Sequence, residues 1–409
     1  MNISIGLELQ YTKSKRYMSE WKECKLGDLT IDGKGCYGIA APAVEYDVNK
    51  YTYLRITDIN DDGTINKYGL KSVDNKNASN YLLKPNDIVF ARTGASVGRS
   101  YFYDVRDGEL VYAGFLIKYS LDPTKVNPKL LKFYTHSQPY YDWIQTVDNG
   151  ATRGNINAQT YASMPVMLPD RNKQDEIVSI LSSLDDKIDL LNRENATLEA
   201  MAETLFRQWF IEEAKEDWEE GTVSTFAEHY KESVNPQKHP STLFYHYSIP
   251  AFDNGKESTP ELGEAIQSNK YVIPQDCILF SKLNPHKDKR IWLMLDDIPQ
   301  NAICSTEFQI IKPKGIEYLY FLYGWLNNNE NYEEIASGVG GTSGSHQRID
   351  PKSIFTFVCP RVDTALIQKY NNVVEPMFYK QRENQKQIAS LTEQRDILLP
   401  KLMSNEIAI

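Results

Sequence analysis

Catalytic and metal-binding signatures are what this 409-residue sequence lacks most. Its five cysteines, Cys24, Cys36, Cys277, Cys304 and Cys359, are widely separated and form no CxxC pair. That pattern excludes a disulfide framework and a cysteine zinc site, and it suits a reducing, cytoplasmic setting. The six histidines make no HxxxH or HExxH spacing, so no metal site is expected. Apolar runs all fall short of roughly 18 residues, so no membrane span is expected. No basic stretch followed by an apolar one marks a signal peptide. The Asn-Pro-Pro-aromatic motif of amino-methyltransferases is absent, and so is a glycine-rich cofactor loop. TGASVGRS at 93–100 has the look of a phosphate loop, but Gly94 and Gly98 are one residue too close and Arg99 stands where lysine is needed. The expectation is a chain with no catalytic residues and no cofactor of its own.

Positive charge is also scarce. The net charge is −10. Residues 1–170 carry 20 Lys+Arg against 19 Asp+Glu, and residues 216–365 carry 13 against 21. Neither segment has the basic excess of a protein that holds DNA by phosphate contacts alone. That balance argues against binding DNA unaided; a protein that binds DNA only inside a larger complex can draw those contacts from its partners. Hydrophobic residues at 41% and charged residues at 24% are ordinary globular values.

What the sequence does have is an internal repeat with a period near 190 residues. Trp21 opens one unit and Trp218 the other. YLLKPNDIVFARTG (81–94) corresponds to KYVIPQDCILFSKL (270–283), pairing Pro85 with Pro274 and Asp87 with Asp276. AGFLIKY (113–119) corresponds to STEFQII (305–311). NGATRGNINAQTYASMPVMLP (149–169) lines up with GGTSGSHQRIDPKSIFTFVCP (340–360). Stretches such as LVYAGFLIKYSL (110–121) and AICSTEFQIIK (302–312) are rich in β-branched and aromatic residues, as strands are. The fold class expected is α+β, with two domains in pseudo-two-fold repeat, each followed by a long helix.

The helices are the clearest signal. Ile177, Leu181, Leu184, Ile188, Leu191, Asn195, Leu198, Ala202, Leu205 and Trp209 follow one another at spacings of 4 and 3. That is a heptad seam. A weaker seam runs through Ile367, Tyr370, Val374, Met377, Gln381, Asn384, Ile388, Leu391, Arg395, Leu398 and Leu402. Pro376 implies either a kink there or a helix that starts there. Arg-Glu-Asn occurs in both, at 193–195 and 382–384. In an antiparallel coiled coil Asn195 and Asn384 can meet and fix the register; the alternative is that each is solvated at the edge. The division expected is a tail over 1–19, a first domain over 20–170, a helix over 171–215, a second domain over 216–365 and a second helix over 366–409.

These features resemble the specificity subunit of type I restriction–modification enzymes. The residues that carry the likeness are Trp21 with KLGDL (25–29), the LKPNDIVFARTG segment, DKIDLLNRENATLEAMAETLFRQWF ending at Phe210, and RDILLPKLMSNEI (395–407). The resemblance implies two target-recognition domains joined by two antiparallel helices. It implies double-stranded DNA as ligand, read as a bipartite target with one half per domain. It also implies two methyltransferase subunits and motor–nuclease restriction subunits as partners. S-adenosylmethionine, ATP and Mg2+ would then belong to those partners. Rival readings are a recognition subunit of another defence complex, or a coiled-coil adaptor that binds protein only.

Base edges are read by Arg at guanine and by Asn or Gln at adenine. Residues of this kind on loops at equivalent places of both repeats are the candidates. After the Pro-x-Asp strand they are Arg92, Thr93, Ser96 and Arg99, against Lys282, Asn284, His286, Lys287, Lys289 and Arg290. On the glycine loop they are Thr152, Arg153, Asn155 and Asn157, against Ser343, Ser345, His346, Gln347 and Arg348. Tyr51, Tyr53, Tyr245 and Tyr247 are expected to pack within the sheets.

Overall fold

The computed structural model describes residues 21–67, 69–148, 155–253, 255–340, 347–404 and 406–407. The chain divides into two compact units. Unit 1 is Met1–Leu190 with Gln387–Ile409, and unit 2 is Leu191–Lys386. Each therefore combines one repeat with a half of each long helix.

In unit 1 a four-stranded sheet runs Cys36–Tyr37, Leu116–Ser120, Asp87–Ala91, Ser100–Phe102 in spatial order. Asp87–Ala91 is buried on both faces, which its near-continuous apolar run DIVFA dictates. Ile88 and Phe90 face a core that also holds Tyr140, Tyr161, Ile177 and Leu181; Val89 and Ala91 face a second core with Leu54, Tyr101 and Leu116. The second sheet places Ala43–Val44, Lys71–Val73, Thr52–Leu54 and Leu110–Tyr112 side by side, the last pair parallel. Trp21, Leu26 and Leu29 of the opening motif are buried in the core that faces the helix.

Unit 2 repeats the first sheet: Ala227–Tyr230, Phe308–Pro313, Cys277–Ser281, Ile291–Met294. Its second sheet keeps the same centre and differs in its outer strands. Ala302–Cys304 lies between Lys270–Val272 and Leu243–Tyr247, and its counterpart Leu110–Tyr112 has Thr52–Leu54 on one side and a bridge from Leu82 to Val111 on the other. Gly324 lets the helix Leu319–Asn327 press on Phe206, since a Cβ there would stand 2.2 Å from the ring. Trp209 and Phe210 pack into this core, against Phe206, Phe321 and Tyr370.

The repeat alignment needs one correction. Asn86 and Asp276 share positive φ angles, 72° and 49°, at the turn before the strand. Phe90 pairs with Ile117 and Phe280 with Gln309 at the same ladder position. Asp276 thus matches Asn86, one residue away from the pairing read in the sequence. Asp87 is a buried carboxylate that accepts from the Ser120 hydroxyl at 2.6 Å, a role Asp276 does not share.

The long helices run Arg171–Arg207 and Thr364–Met403. Asp170 and Asp363 cap them: the Asp170 carboxylate accepts from the Lys173 amide at 3.2 Å and the Asp363 carboxylate from the Ala365 amide at 2.9 Å. The second helix begins well before Pro376 and passes through it, so that proline is not a start signal. Every residue of both seams is buried or half-buried. The two helices run antiparallel. In unit 2, Asn195 meets Asn384 while Ala202 meets Tyr370. In unit 1, Arg395 reaches Asp185, while Leu399 and Leu402 share a core with Ile177 and Leu181.

Candidate nucleic-acid interface

The two loops that the sequence nominated separately come together in each unit. In unit 1 the strand Asp87–Ala91 runs out into Arg92 and Thr93. The Arg92 carbonyl accepts from the Ile156 amide at 2.9 Å, and its own amide donates to the Phe115 carbonyl at 3.1 Å. Thr93 forms a bridge with Asn155. Unit 2 builds the same corner. Lys282 accepts from the Ile349 amide at 3.1 Å and donates to the Glu307 carbonyl at 2.9 Å, and Leu283 bridges Arg348. Arg92 therefore occupies the place of Lys282, Phe115 that of Glu307, and Asn155 that of Arg348. Asn157 and Asp350 match as N-caps of the short helices Ala158–Ala162 and Pro351–Thr356.

Side chains at the two corners differ in chemistry. In unit 1 the Arg92 guanidinium lies 5.0 Å from the centroid of the half-exposed Tyr37 ring and donates to the Asn155 side-chain oxygen at 3.3 Å. In unit 2 Arg348 grips Glu307 through two nitrogens, at 2.9 and 2.7 Å. A fork held this way keeps its remaining donors in a fixed plane. Burial pushes the Lys282 ammonium down from its usual range, with Glu307 opposing and Arg348 reinforcing that shift. Beneath it, the Gln309 amide donates to the His229 ring, and burial holds His229 down at about 4, with Lys231 and Lys282 adding to the effect. Among the described residues, the buried Gln309 side-chain oxygen has no hydrogen-bond partner.

Other candidates turn out to hold the corner together. Arg99 and Arg290 are equivalent: each carbonyl accepts from the strand, at 2.8 Å from Ala91 and 2.9 Å from Ser281. Each guanidinium is tied to aspartate, Arg99 to Asp61 at 2.6 Å and Arg290 to Asp253 at 2.7 and 2.8 Å and to Asp288 at 2.9 Å. Ser96 is buried. Asn157 spends its carbonyl oxygen on capping, accepting from the Thr160 amide at 2.9 Å. Lys289 donates to the Asn327 carbonyl and to the Asn329 side chain, and lies over Tyr332. It also lines a cleft of about 520 Å³ with Pro285, His286, Lys287 and Glu333. His286 and Lys287 are exposed on that rim. Asn284 adopts φ 48° and donates its amide to the Gln347 carbonyl at 2.9 Å, joining the two loops of unit 2. Thr152, Arg153, Ser343, Ser345 and His346 lie outside the described residues.

Comparison with known proteins gives this corner its context. Residues 18–200 match the family of type I restriction modification DNA specificity domains. This segment is similar to type I DNA specificity domains. The specificity subunit of the type I restriction enzyme MjaIX of Methanocaldococcus jannaschii is 25% identical over 300 residues, which cover 66% of this chain and 66% of that protein. That of HindI of Haemophilus influenzae is 29% identical over 209 residues, 48% of this chain and 42% of that one. The chain thus spans just under two thirds of the first relative's length and under half of the second's. The type I restriction–modification S subunit from M. genitalium shares the fold, with a TM-score of 0.55 at 17% identity over 93% of this chain and 96% of that one. The likeness to type I specificity subunits read from the motifs is shown by the sequence matches, and the likeness of fold by the solved structure.

Tyr53 is buried with its hydroxyl on the Ile39 and Ala41 carbonyls at 2.9 and 3.0 Å, Tyr247 is buried, and Tyr51 and Tyr245 pack against the sheets. No group of three or more His, Cys, Asp or Glu among the described residues is arranged to hold a metal ion. Among the same residues, no helix is long and apolar enough to cross a membrane. Tyr37, Glu307, Asp61 and Asp253 were not visible as site residues in the sequence. Each acts through a partner dozens of positions away, and only the fold supplies that pairing.

Proposed function

We propose that this chain recognises a bipartite, gapped DNA target, one half read by each unit. The observation that carries the reading is the paired corner. At the same place in both units, a basic residue at a strand end meets an Asn or Arg returning from a glycine loop. Those are the side chains that distinguish bases in a groove. Their differing chemistry suits two different half-sites. In unit 1 the readers are Arg92, Thr93 and Asn155, with Arg153 of the same loop. In unit 2 they are Lys282, Asn284, His286, Lys287, Gln347 and Arg348, with Ser345 and His346 of that loop. Methyl transfer and cleavage fall to partners: two methyltransferase subunits on the long helices, and motor–nuclease subunits in a restricting complex. Those partners bring S-adenosylmethionine, ATP and Mg2+. The net charge of −10 fits a reader that relies on companions for phosphate contacts.

The test is co-expression with the neighbouring methyltransferase and mapping of methylated bases across a genome. A two-part, gapped, non-palindromic motif is the expected result. An active complex that methylates without sequence pattern would overturn the reading in favour of a protein adaptor.

A further inference from the structure

A turn after the Leu110–Tyr112 strand puts a phenylalanine on the surface of unit 1. The Leu116 amide donates to the Ala113 carbonyl at 2.8 Å, which closes the turn, and Phe115 within it is 59% exposed. A single exposed apolar residue needs no explanation in general. This one stands at a defined place. Phe90 and Ile117 are directly paired and both face the helix-side core. Two residues beyond each, Arg92 donates its amide to the Phe115 carbonyl. Arg92 and Phe115 are thus backbone neighbours at the sheet's rim, just past the strands Asp87–Ala91 and Leu116–Ser120 that carry Phe90 and Ile117. Tyr37, opposite Ile117 in the ladder, lies beneath the Arg92 guanidinium. In unit 2 the matching residue is Glu307, and it is spent on holding Arg348. Among the described residues, Phe115 is not engaged by any such partner.

We propose that Phe115 reads a thymine in the half-site of unit 1, through apolar contact with the 5-methyl group, while Arg92 and Asn155 take the neighbouring base edges. The assignment rests on the DNA-reading role proposed above. Thymine is the only base that offers a methyl in the major groove, and an aromatic face is suited to it. An exposed ring beside a guanidinium and an amide supplies the three contact types such a groove presents. Unit 2, with Glu307 at this position, has no equivalent apolar probe and its half-site carries no such requirement at the matching base.

The experiment uses the full chain in its complex with the methyltransferase. Methylation rates are measured on duplexes in which each thymine of the unit 1 half-site is replaced in turn by deoxyuridine, which lacks only the methyl group. The wild-type complex is expected to lose roughly fourfold or more in rate at one position, the value of one buried methyl. Phe115→Ala should abolish that ratio, and Phe115→Leu, which keeps an apolar contact, should retain most of it. Because the ring is exposed, neither variant should unfold the chain, and both should keep their preference in the other half-site. A wild-type complex indifferent to deoxyuridine at every thymine overturns the assignment, as does a Phe115→Ala complex that keeps the ratio, or a half-site without thymine. In those three cases a patterned motif survives and the DNA-reading role with it. Unpatterned methylation by the wild type removes both.

Discussion

Single residues divide the candidate loops into proposed readers and residues tied down inside the corner, and only the fold makes that division. Arg92 and Arg99 look alike in the sequence, seven positions apart on one glycine-containing loop. Arg99 is committed to Asp61, and its equivalent Arg290 to Asp253 and Asp288. The Arg290 side chain is only 10% exposed, against 31% for Arg99. Arg290→Ala should therefore cost about 2 kcal/mol of stability and Arg99→Ala about 1, the range for charge-assisted bonds lost at such sites. Urea unfolding of the chain measures this, and the methylated motif should stay the same in both variants. A changed motif would make these arginines readers after all. The glycine loops and their polar residues were legible in the sequence, because turn chemistry and residue type are local. Their tethers were not, because Asp61 and Asp253 sit far away in the chain and carry no mark of their own.

His229 gives the same corner a pH dependence. Its ordinary value is 6.5, and burial with Lys231 and Lys282 nearby lowers it to about 4 in the folded chain. Between those values the unfolded chain binds the extra proton and the folded chain does not. Stability is then full above about pH 6.5 and falls as pH drops toward 4. Replacing His229 with Gln should flatten the part of the unfolding-midpoint curve between pH 6.5 and 4 that this group causes. An unchanged slope would show that His229 titrates normally. His136 and His246, both also lowered by burial, add to the wild-type slope and would remain in the variant.

Among the elements, the long helices were the most legible, because a spacing of 3 and 4 sustained over many turns has no other simple reading. The strand order of the second sheets was not. The outer strands, Ala43–Val44 and Lys71–Val73 in unit 1 and Thr259–Leu262 in unit 2, depend on pairings that differ between the copies. The helices also carry the most specific polar contact. The Asn384 side-chain amide donates to the Asn195 side-chain oxygen and to the Glu194 carboxylate, both at 2.9 Å, and Gln381 donates to the Asn195 carbonyl at 3.2 Å. Asn384 is buried, yet among the described residues its own side-chain oxygen has no partner. That geometry fits a polar layer retained for register at a cost in stability. Asn384→Asp removes both donations and sets a carboxylate against Glu194. It should destabilise the chain by about 2–4 kcal/mol at neutral pH, with partial recovery on acidification as the carboxyl protonates. Thermal unfolding at two pH values reads both effects. A variant as stable as the wild type would mean that the layer opens to water.

The whole molecule contains one corner twice, with its chemistry changed between copies. Each copy sits in its own compact unit, on its own cores, with hydrogen-bond partners drawn from that unit. Interactions without shared partners contribute additively, commonly within about 0.5 kcal/mol. A change in one corner should therefore act on one half-site and leave the other alone. Arg348→Lys is the sharpest probe in unit 2, because lysine cannot reproduce the two-nitrogen grip on Glu307. Combined with Phe115→Ala, it should give methylation rates whose free-energy losses sum, on a matrix of duplexes carrying single-base changes in either half. The specificity lost should be confined to one half for each substitution. Agreement within about 0.5 kcal/mol would mean the halves are read independently, and new targets would follow from exchanging one corner at a time. A coupling well beyond that would mean the corners communicate through the helices or through the bound DNA, and an exchanged corner would then disturb the half-site it does not touch.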